Sequence, residues 1–258
     1  MDRVFVAGDT HGNGRWIATL CELAAQHDCD TLLQLGDFGI RRGSDGRLFL
    51  DWVALSARQH GVTIHAIGGN HEEYDEVAEW EFGIEDDGFV TLRPGVHWIP
   101  RGCRWEWGGW RFGALGGAFS VDHAYRSAGV DWWPDAEELH EADVDRLGDA
   151  PLDVLVTHEA PLGAEPQGTM VIGPADQLAA ERTRLLLRRA VEATQPALVL
   201  HGHWHQRQTV NLKFGAPASS ERRGARVEGL ASDVEADGRS WGVLDLATLQ
   251  LRDGEGRR

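Results

Sequence analysis

The sequence predicts an α/β protein with a mainly parallel β-sheet that gains antiparallel strands in the later part of the chain and is flanked by helices. Two observations support this: three successive strand–loop–helix units open the chain, and short strand-like segments with glycine turns follow from residue 96 onward. Strands that alternate with helices favour a parallel sheet, and tight glycine turns favour antiparallel pairs. For this 258-residue chain we predict one domain over residues 1–252 and a short polar tail over 253–258.

Each opening unit has an apolar strand, a polar loop and an amphipathic segment. Residues 4–8 predict a strand and 15–26 a helix. Residues 31–35 predict the second strand and 48–59 the second helix, and a third strand over 63–67 precedes a further helical segment. We therefore expect three neighbouring parallel strands whose carboxyl ends lie at one edge of the sheet.

The remaining segments alternate less regularly. Residues 103–107 and 110–115 flank Gly108-Gly109 and predict an antiparallel hairpin, in which three tryptophans are expected to pack against the sheet. An acidic amphipathic segment over 135–147 and a helix over 177–193 complete the helical pattern. Five further strands are predicted over residues 153–157, 198–200, 207–212, 226–230 and 241–246.

Composition excludes several classes of protein. The formal charge of −16 repels long polyanions and opposes binding of long nucleic acids. No apolar run approaches the roughly 20 residues that span a bilayer, and the N-terminus lacks the features of a secretory signal, so no membrane association is expected. Three cysteines without a C-x-x-C pair indicate free thiols in a reducing compartment. We expect a cytoplasmic protein; the oligomeric state stays open.

Polar residues directly after five predicted strands form the most informative pattern. Ligand sites in open α/β sheets lie beyond the carboxyl ends of the strands, so distant segments can meet there. Oxygen and imidazole side chains without thiolate suit manganese, iron, zinc or nickel. The five segments are Gly8-Asp9-Thr10-His11-Gly12, Gly36-Asp37, Gly69-Asn70-His71-Glu72, Thr157-His158 and Gly202-His203-Trp204-His205.

The order of these motifs over residues 4–205 resembles that of calcineurin-like metallophosphoesterases. The resemblance implies a central sandwich of mixed, mainly parallel β-sheets flanked by helices, and two divalent metal ions, with Mn²⁺ favoured over Fe, Zn or Ni. It also implies the ligands: Asp9, His11 and His205 for one metal, Asn70, His158 and His203 for the other, and Asp37 as a bridge. The glycines are expected to let the backbone approach the metals closely.

The resemblance also implies a reaction. A hydroxide that bridges the metals would attack a phosphate ester, with Asp37 holding the bridge and His71 stabilising charge or protonating the leaving oxygen. Asp9 is expected to orient the His71 imidazole. We expect a small, nucleotide-type phosphodiester as the substrate.

Three alternatives remain open: a phosphomonoesterase, a protein phosphatase and a non-catalytic metal-binding scaffold. The sequence after Asp37, Phe38-Gly39-Ile40-Arg41-Arg42, departs from the Asp-Arg-Gly of serine/threonine phosphatases and disfavours the second. All seven ligand positions and His71 are filled, which disfavours the third.

Residues between the motifs are expected to select the substrate. Asn70, Arg126 and Arg42 are the candidate substrate contacts, each arginine weighed against a role as a surface residue. Trp132 and Trp133 could stack on a nucleotide base, but a role in packing within the protein is favoured, because large aromatic side chains mostly serve packing. His201 is expected to be structural. Arg182, Arg184, Arg188 and Arg189 are expected to form one charged helix face.

Overall fold

Two β-sheets form the centre of the protein. The computed structural model describes residues 1–79, 88–166, 172–214, 223–233 and 238–254; residues 255–258 of the predicted tail lie outside these ranges. The strands are β1 Arg3–Ala7, β2 Thr31–Gln34, β3 Thr63–Ala66, β4 Val90–Arg93, β5 Val96–Trp98, β6 Arg104–Trp107, β7 Trp110–Leu115, β8 Val154–Thr157, β9 Leu198–His201, β10 Gln208–Phe214, β11 Arg223–Gly229, β12 Trp241–Asp245 and β13 Gln250–Asp253. The helices are α1 Gly14–Gln26, α2 Gly43–His60, α3 Tyr74–Glu79, α4 Pro134–Glu137, α5 Glu141–Leu147 and α6 Pro174–Thr194, with a 3-10 turn at His123–Tyr125.

Both sheets are mixed, with a parallel centre. The first has the order β13-β12-β1-β2-β3-β5-β4, in which β1, β2, β3 and β5 are parallel. The second has the order β10-β11-β9-β8-β7-β6, in which β11, β9, β8 and β7 are parallel. Antiparallel strands lie at the edges, including the predicted hairpin of β6 and β7. The predicted α/β fold with mixed sheets is confirmed.

The two sheets pack face to face. Val4 and Val6 of β1 share an apolar layer with Val154 and Val156 of β8, whereas Phe5 and its outward neighbours pack under α1 and α2. Helices α5 and α6 cover the outer face of the second sheet. A strand that is apolar on both faces does not reveal whether a helix or a second sheet covers each face. The strand pattern alone therefore did not predict the sandwich, which followed from the family resemblance.

Several boundaries differ from the predicted ones. Strands β4 and β13 were not predicted. The acidic segment over 135–147 forms two short helices, because a capping box between His140 and Asp143 starts α5 anew after the extended Glu138. The hairpin tryptophans pack as predicted: the Trp105 ring stacks on Phe112 with centroids 5.4 Å apart.

The structure bears on the predicted free thiols and on the expected lack of membrane association. All three cysteines are free. Within the described ranges, no helix has the length and apolar character needed to cross a membrane.

The layer between the sheets should dominate stability. Phe112 is 0% exposed and belongs to that layer. We predict that Phe112→Ala lowers the free energy of unfolding by about 3–5 kcal/mol, because it removes buried apolar surface and leaves a cavity. Urea unfolding measures this, and Leu178→Ala, at a position 67% exposed, is the control, with an expected loss under about 0.5 kcal/mol. Equal losses in the two variants would contradict the face-to-face packing.

Candidate metal centre

Loops from both sheets bring the predicted ligands to one edge of the sandwich. Asp9, Asp37 and Asn70 follow β1, β2 and β3 of the first sheet, and His158 follows β8 of the second. The His158 Nε2 atom lies 3.1 Å from Asn70 Oδ1 and 3.4 Å from Asp37 Oδ1. The predicted convergence of sequence-distant segments therefore includes segments from both sheets.

Asp9, His11 and His205 form the first group of donors. His205 Nε2 lies 3.1 Å from Asp9 Oδ2, and the rings of His11 and His205 are 4.9 Å apart in an edge-on arrangement. One potential ligand atom from each of the three residues lies within 4.8 Å of the others, a spacing that allows all three to bind one ion.

Asp37 lies between this group and the second group. Its Oδ2 atom is 3.4 Å from His11 Nε2, and its Oδ1 atom is 3.4 Å from His158 Nε2. One carboxylate oxygen is thus directed toward each group. This is the position that a bridging carboxylate requires.

The amide of Asn70 is oriented toward the second group. Asn70 Nδ2 donates to Ser120 Oγ at 3.0 Å, which leaves Oδ1 directed at His158. His158 Nδ1 lies 2.7 Å from the carbonyl oxygen of Leu35, so Nδ1 donates there and Nε2 is the free ligand atom.

His203 and His71 lie at the rim of these groups. The His203 ring is 5.0 Å from the His158 ring, and its Nε2 is 3.7 Å from Glu159 Oε2. The backbone N–H of His71 donates to Asp37 Oδ1 at 2.9 Å. Both side chains are largely buried yet line the same pocket.

The predicted orientation of His71 by Asp9 is wrong. The carboxylate nearest to the imidazole is Asp122, at 3.7 Å from Nε2. The Asp9 carboxylate instead accepts the backbone N–H of His203 at 3.0 Å and contacts His205, so its oxygens are already used.

The glycines allow the backbone to lie close to buried carboxylate side chains. A Cβ atom at Gly69 would lie 2.1 Å from Asp37 Oδ1, and one at Gly202 would lie 2.1 Å from Asp9 Oδ1. Either contact would displace a carboxylate. Several predicted ligands themselves have positive φ, which is uncommon outside glycine and typical of strained functional loops: His11, Asp37, His203 and His205.

The buried side chain of Glu72 holds the loops after β2 and β3 in place. Its buried carboxylate accepts the backbone N–H groups of Asp37 at 3.1 Å, Gly39 at 2.9 Å, and Gly69. It therefore ties the loop after β2 to the loop after β3. The motif Gly-Asn-His-Glu marked this position, but the sequence alone assigned it no role.

Asp233 supports His11, and the sequence analysis missed it. Its Oδ1 atom lies 3.5 Å from His11 Nδ1, its Oδ2 accepts Asn13 Nδ2 at 2.9 Å, and its backbone N–H donates to Asp9 O at 2.9 Å. A carboxylate on the far nitrogen of a ligating histidine fixes the ring. Asp233 belongs to no recognisable motif, so only the folded chain identifies it.

The structure does not bring Arg126 or Arg42 into the pocket. Arg126 lies behind Asn70, donating to Ser120 Oγ at 2.7 Å and pairing with Glu137 at 2.7 Å. Arg42 pairs with Glu73. Both guanidinium groups hold loops in place. Asn70 does line the pocket.

His201 is fully buried, with contacts to Gly202 O at 3.0 Å and Gln208 Nε2 at 3.2 Å. Burial lowers the pKa of His201 to about 4, so the ring is neutral near pH 7. This agrees with the predicted structural role.

Charge explains why the donors suit cations. Asp9 and Asp37 are 0% and 1% exposed, and their ion-pair partners among the described residues are histidines. Burial alone lowers the pKa of His11 and of His158, but the neighbouring Asp37 and Asp9 outweigh it and raise these pKa values to about 9 and about 10. Burial raises the pKa of Asp37, yet the surrounding histidines hold it well below its ordinary value. Protons thus occupy a site whose oxygen and imidazole donors fit divalent metals.

A pocket of about 590 Å³ opens over the donors. Its described lining includes the predicted site residues Asp37, Asn70, His71, His203 and His205, together with Asp122. Further lining residues lie in or next to helix α6, namely Ile172, Gln177, Ala180, Glu181 and Arg184, and others are Val121, Glu159, Trp204 and Gln206. The pocket extends well beyond the donors.

Solved structures with the same fold show low sequence identity. The chain is similar to TT1561 of Thermus thermophilus, with a TM-score of 0.57, 14% identity and coverage of 98% of both chains. It is also similar to a dimetal phosphatase from Danio rerio, with a TM-score of 0.54, 12% identity and coverage of 94% of this chain and 91% of the other. At this identity the likeness shows the fold. Among curated proteins, none matches the chain.

A sequence profile provides the assignment. The profile described as calcineurin-like phosphoesterase matches residues 2–207, which include all five motifs. The fold, the two groups of donors and this match lead to one conclusion: the chain belongs to the calcineurin-like phosphoesterase family.

Proposed function

We propose that this protein is a two-metal phosphodiesterase that hydrolyses a small, nucleotide-type phosphate diester. The main supporting observation is the position of Asp37, which directs one oxygen to each of two donor groups. In the proposed site Asp9, His11 and His205 would hold one ion, Asn70, His158 and His203 would hold the other, and Asp37 would contribute to both. Manganese is the proposed metal, and iron, zinc and nickel are the alternatives that the same oxygen and imidazole donors fit.

The residues of this chain have distinct tasks. Divalent ions in such a site activate water and polarise phosphoryl oxygens. His71, held beside Asp37 by its backbone N–H, is placed at the pocket to donate a proton to the leaving oxygen. Burial lowers the pKa of His71, while Asp37 and Asp122, the latter 3.7 Å from His71 Nε2, favour the charged imidazole and partly offset that effect.

The pocket can accommodate a diester. Its volume of about 590 Å³ leaves space beside the donors for a second ester group. A phosphomonoesterase uses the same donors and is the second candidate. The short spacing within the groups Asp9–His11–His205 and Asp9–Asp37–His158 supports metal binding, and His71 beside them favours an enzyme over a scaffold without catalysis.

Turnover of two model phosphate esters tests the proposed reaction. Manganese-loaded protein should hydrolyse bis-p-nitrophenyl phosphate faster than p-nitrophenyl phosphate. His71→Ala should lower kcat by about 10²–10⁴-fold, because it removes a proton donor. Asp37→Asn should abolish metal-dependent activity, because it removes a charge shared by both ions. Release of p-nitrophenolate measures both effects.

His60→Ala is the matched control, since His60 ends helix α2 at the end away from the centre. It should retain wild-type activity. Faster hydrolysis of the monoester would replace the diester proposal with the second candidate. Absence of turnover of either ester, with two metals bound per chain, would support the scaffold instead.

Metal binding should depend on pH. In metal-free protein the pKa values of His11 and His158 are raised to about 9 and about 10, so both are protonated at pH 7. Metals bind neutral imidazole, so metal uptake at pH 7 should release protons, and metal affinity should rise from pH 7 toward pH 10. Calorimetric titration of manganese in two buffers with different ionisation enthalpies counts the protons. A heat of binding independent of the buffer would contradict this charge state.

A further inference from the structure

Arg184 is a cation of the pocket lining, and its charge acts on the neighbouring buried carboxylate of Glu159. Of the described residues that line it, Arg184 is the sole arginine or lysine. Its Nε atom is buried without a hydrogen-bond partner, and within the described ranges its guanidinium group takes part in no ion pair. A buried donor without a partner is costly, and a ligand oxygen would relieve that cost.

Arg184 differs from the other arginines of the predicted helix face. Arg188 pairs with Glu192 at 2.7 Å, and Arg189 pairs with Asp145 at 2.7 Å. Neither Arg188 nor Arg189 is among the described residues that line the pocket, whereas Arg184 is. Helical spacing alone does not separate these residues, so the prediction of a single charged face holds only for part of the set.

The Trp204 ring holds Arg184 close to the candidate metal centre. The guanidinium carbon lies 5.7 Å from the ring centroid of Trp204. The Trp204 indole N–H donates to the buried carboxylate of Glu159, which fixes the plane of the ring. Trp204 lies between His203 and His205 in the sequence, and its ring is 6.3 Å from that of His203. Two side-chain contacts therefore connect Arg184 to a predicted ligand.

We propose that Arg184, seated on Trp204, determines specificity by binding a second anionic group, a phosphate or carboxylate, of the substrate. This inference rests on the proposed function, which places the reacting phosphoryl group at the donors. The planar guanidinium suits paired oxygens, and stacking on an indole limits its freedom before binding. Asp122, Glu159 and Glu181 line the same pocket and oppose anions, so an anionic group is favoured only where it meets Arg184, the one arginine or lysine among the described lining residues.

Two phosphonates of matched size test this inference without turnover. Propylphosphonate carries one anionic group, and 3-phosphonopropionate adds a carboxylate in place of the methyl group. Isothermal titration calorimetry on manganese-loaded protein should give about tenfold tighter binding of the second compound to the wild type. Arg184→Gln should lose this preference while its affinity for propylphosphonate changes less than twofold, and Arg184→Lys should keep part of the preference.

Arg182→Gln is the control, because Arg182 is exposed two residues away on the same helix and should leave the preference unchanged. Thermal unfolding of each variant checks that the fold is retained. An unchanged preference in Arg184→Gln, or binding of neither phosphonate to the wild type, overturns the inference. Binding of propylphosphonate without hydrolysis of any ester overturns the proposed catalytic function alone, and Arg184→Gln still decides the role of Arg184.

Discussion

The burial of two carboxylates at one edge of the sandwich is the constraint on which the centre depends. Asp9 and Asp37 are almost fully buried, and each contacts imidazole groups from other loops. Two buried negative charges are stable only with compensating positive charge. Protons on His11 and His158 provide it in the metal-free protein, and divalent cations would provide more. Stability and the proposed chemistry therefore depend on the same charges.

The sandwich makes this arrangement possible. Parallel strands β1, β2 and β3 direct their carboxyl ends to one edge, and β8 and β9 of the second sheet direct theirs to the same edge. The apolar layer between the sheets sets the distance between the two sets of loops. Glu72 then joins loops within the first sheet, while Asp9 joins the first sheet to the backbone of His203. Hydrogen bonds to the backbone and to neighbouring side chains thus position the donors.

Much of this was predictable from sequence because a polar residue directly after an apolar strand is a local signal. Asp9, Asp37 and His158 were found in this way, and their grouping followed from the family resemblance. Features that depend on distant contacts were not predictable. Strand β12 pairs with β1 across more than 230 residues, with Trp241 opposite Ala7, and no local pattern indicates that pairing. Asp233 acts through a similar long-range contact.

The arginines illustrate the same division. Their sequence positions suggested Arg126 and Arg42 as substrate contacts, yet ion pairs with Glu137 and Glu73 occupy both.

The proposed pair of metal ions joined by Asp37 can be tested most directly by anomalous diffraction from manganese-soaked crystals. We expect two manganese peaks, one on each side of the Asp37 carboxylate. A single peak, or peaks away from Asp37, would contradict it.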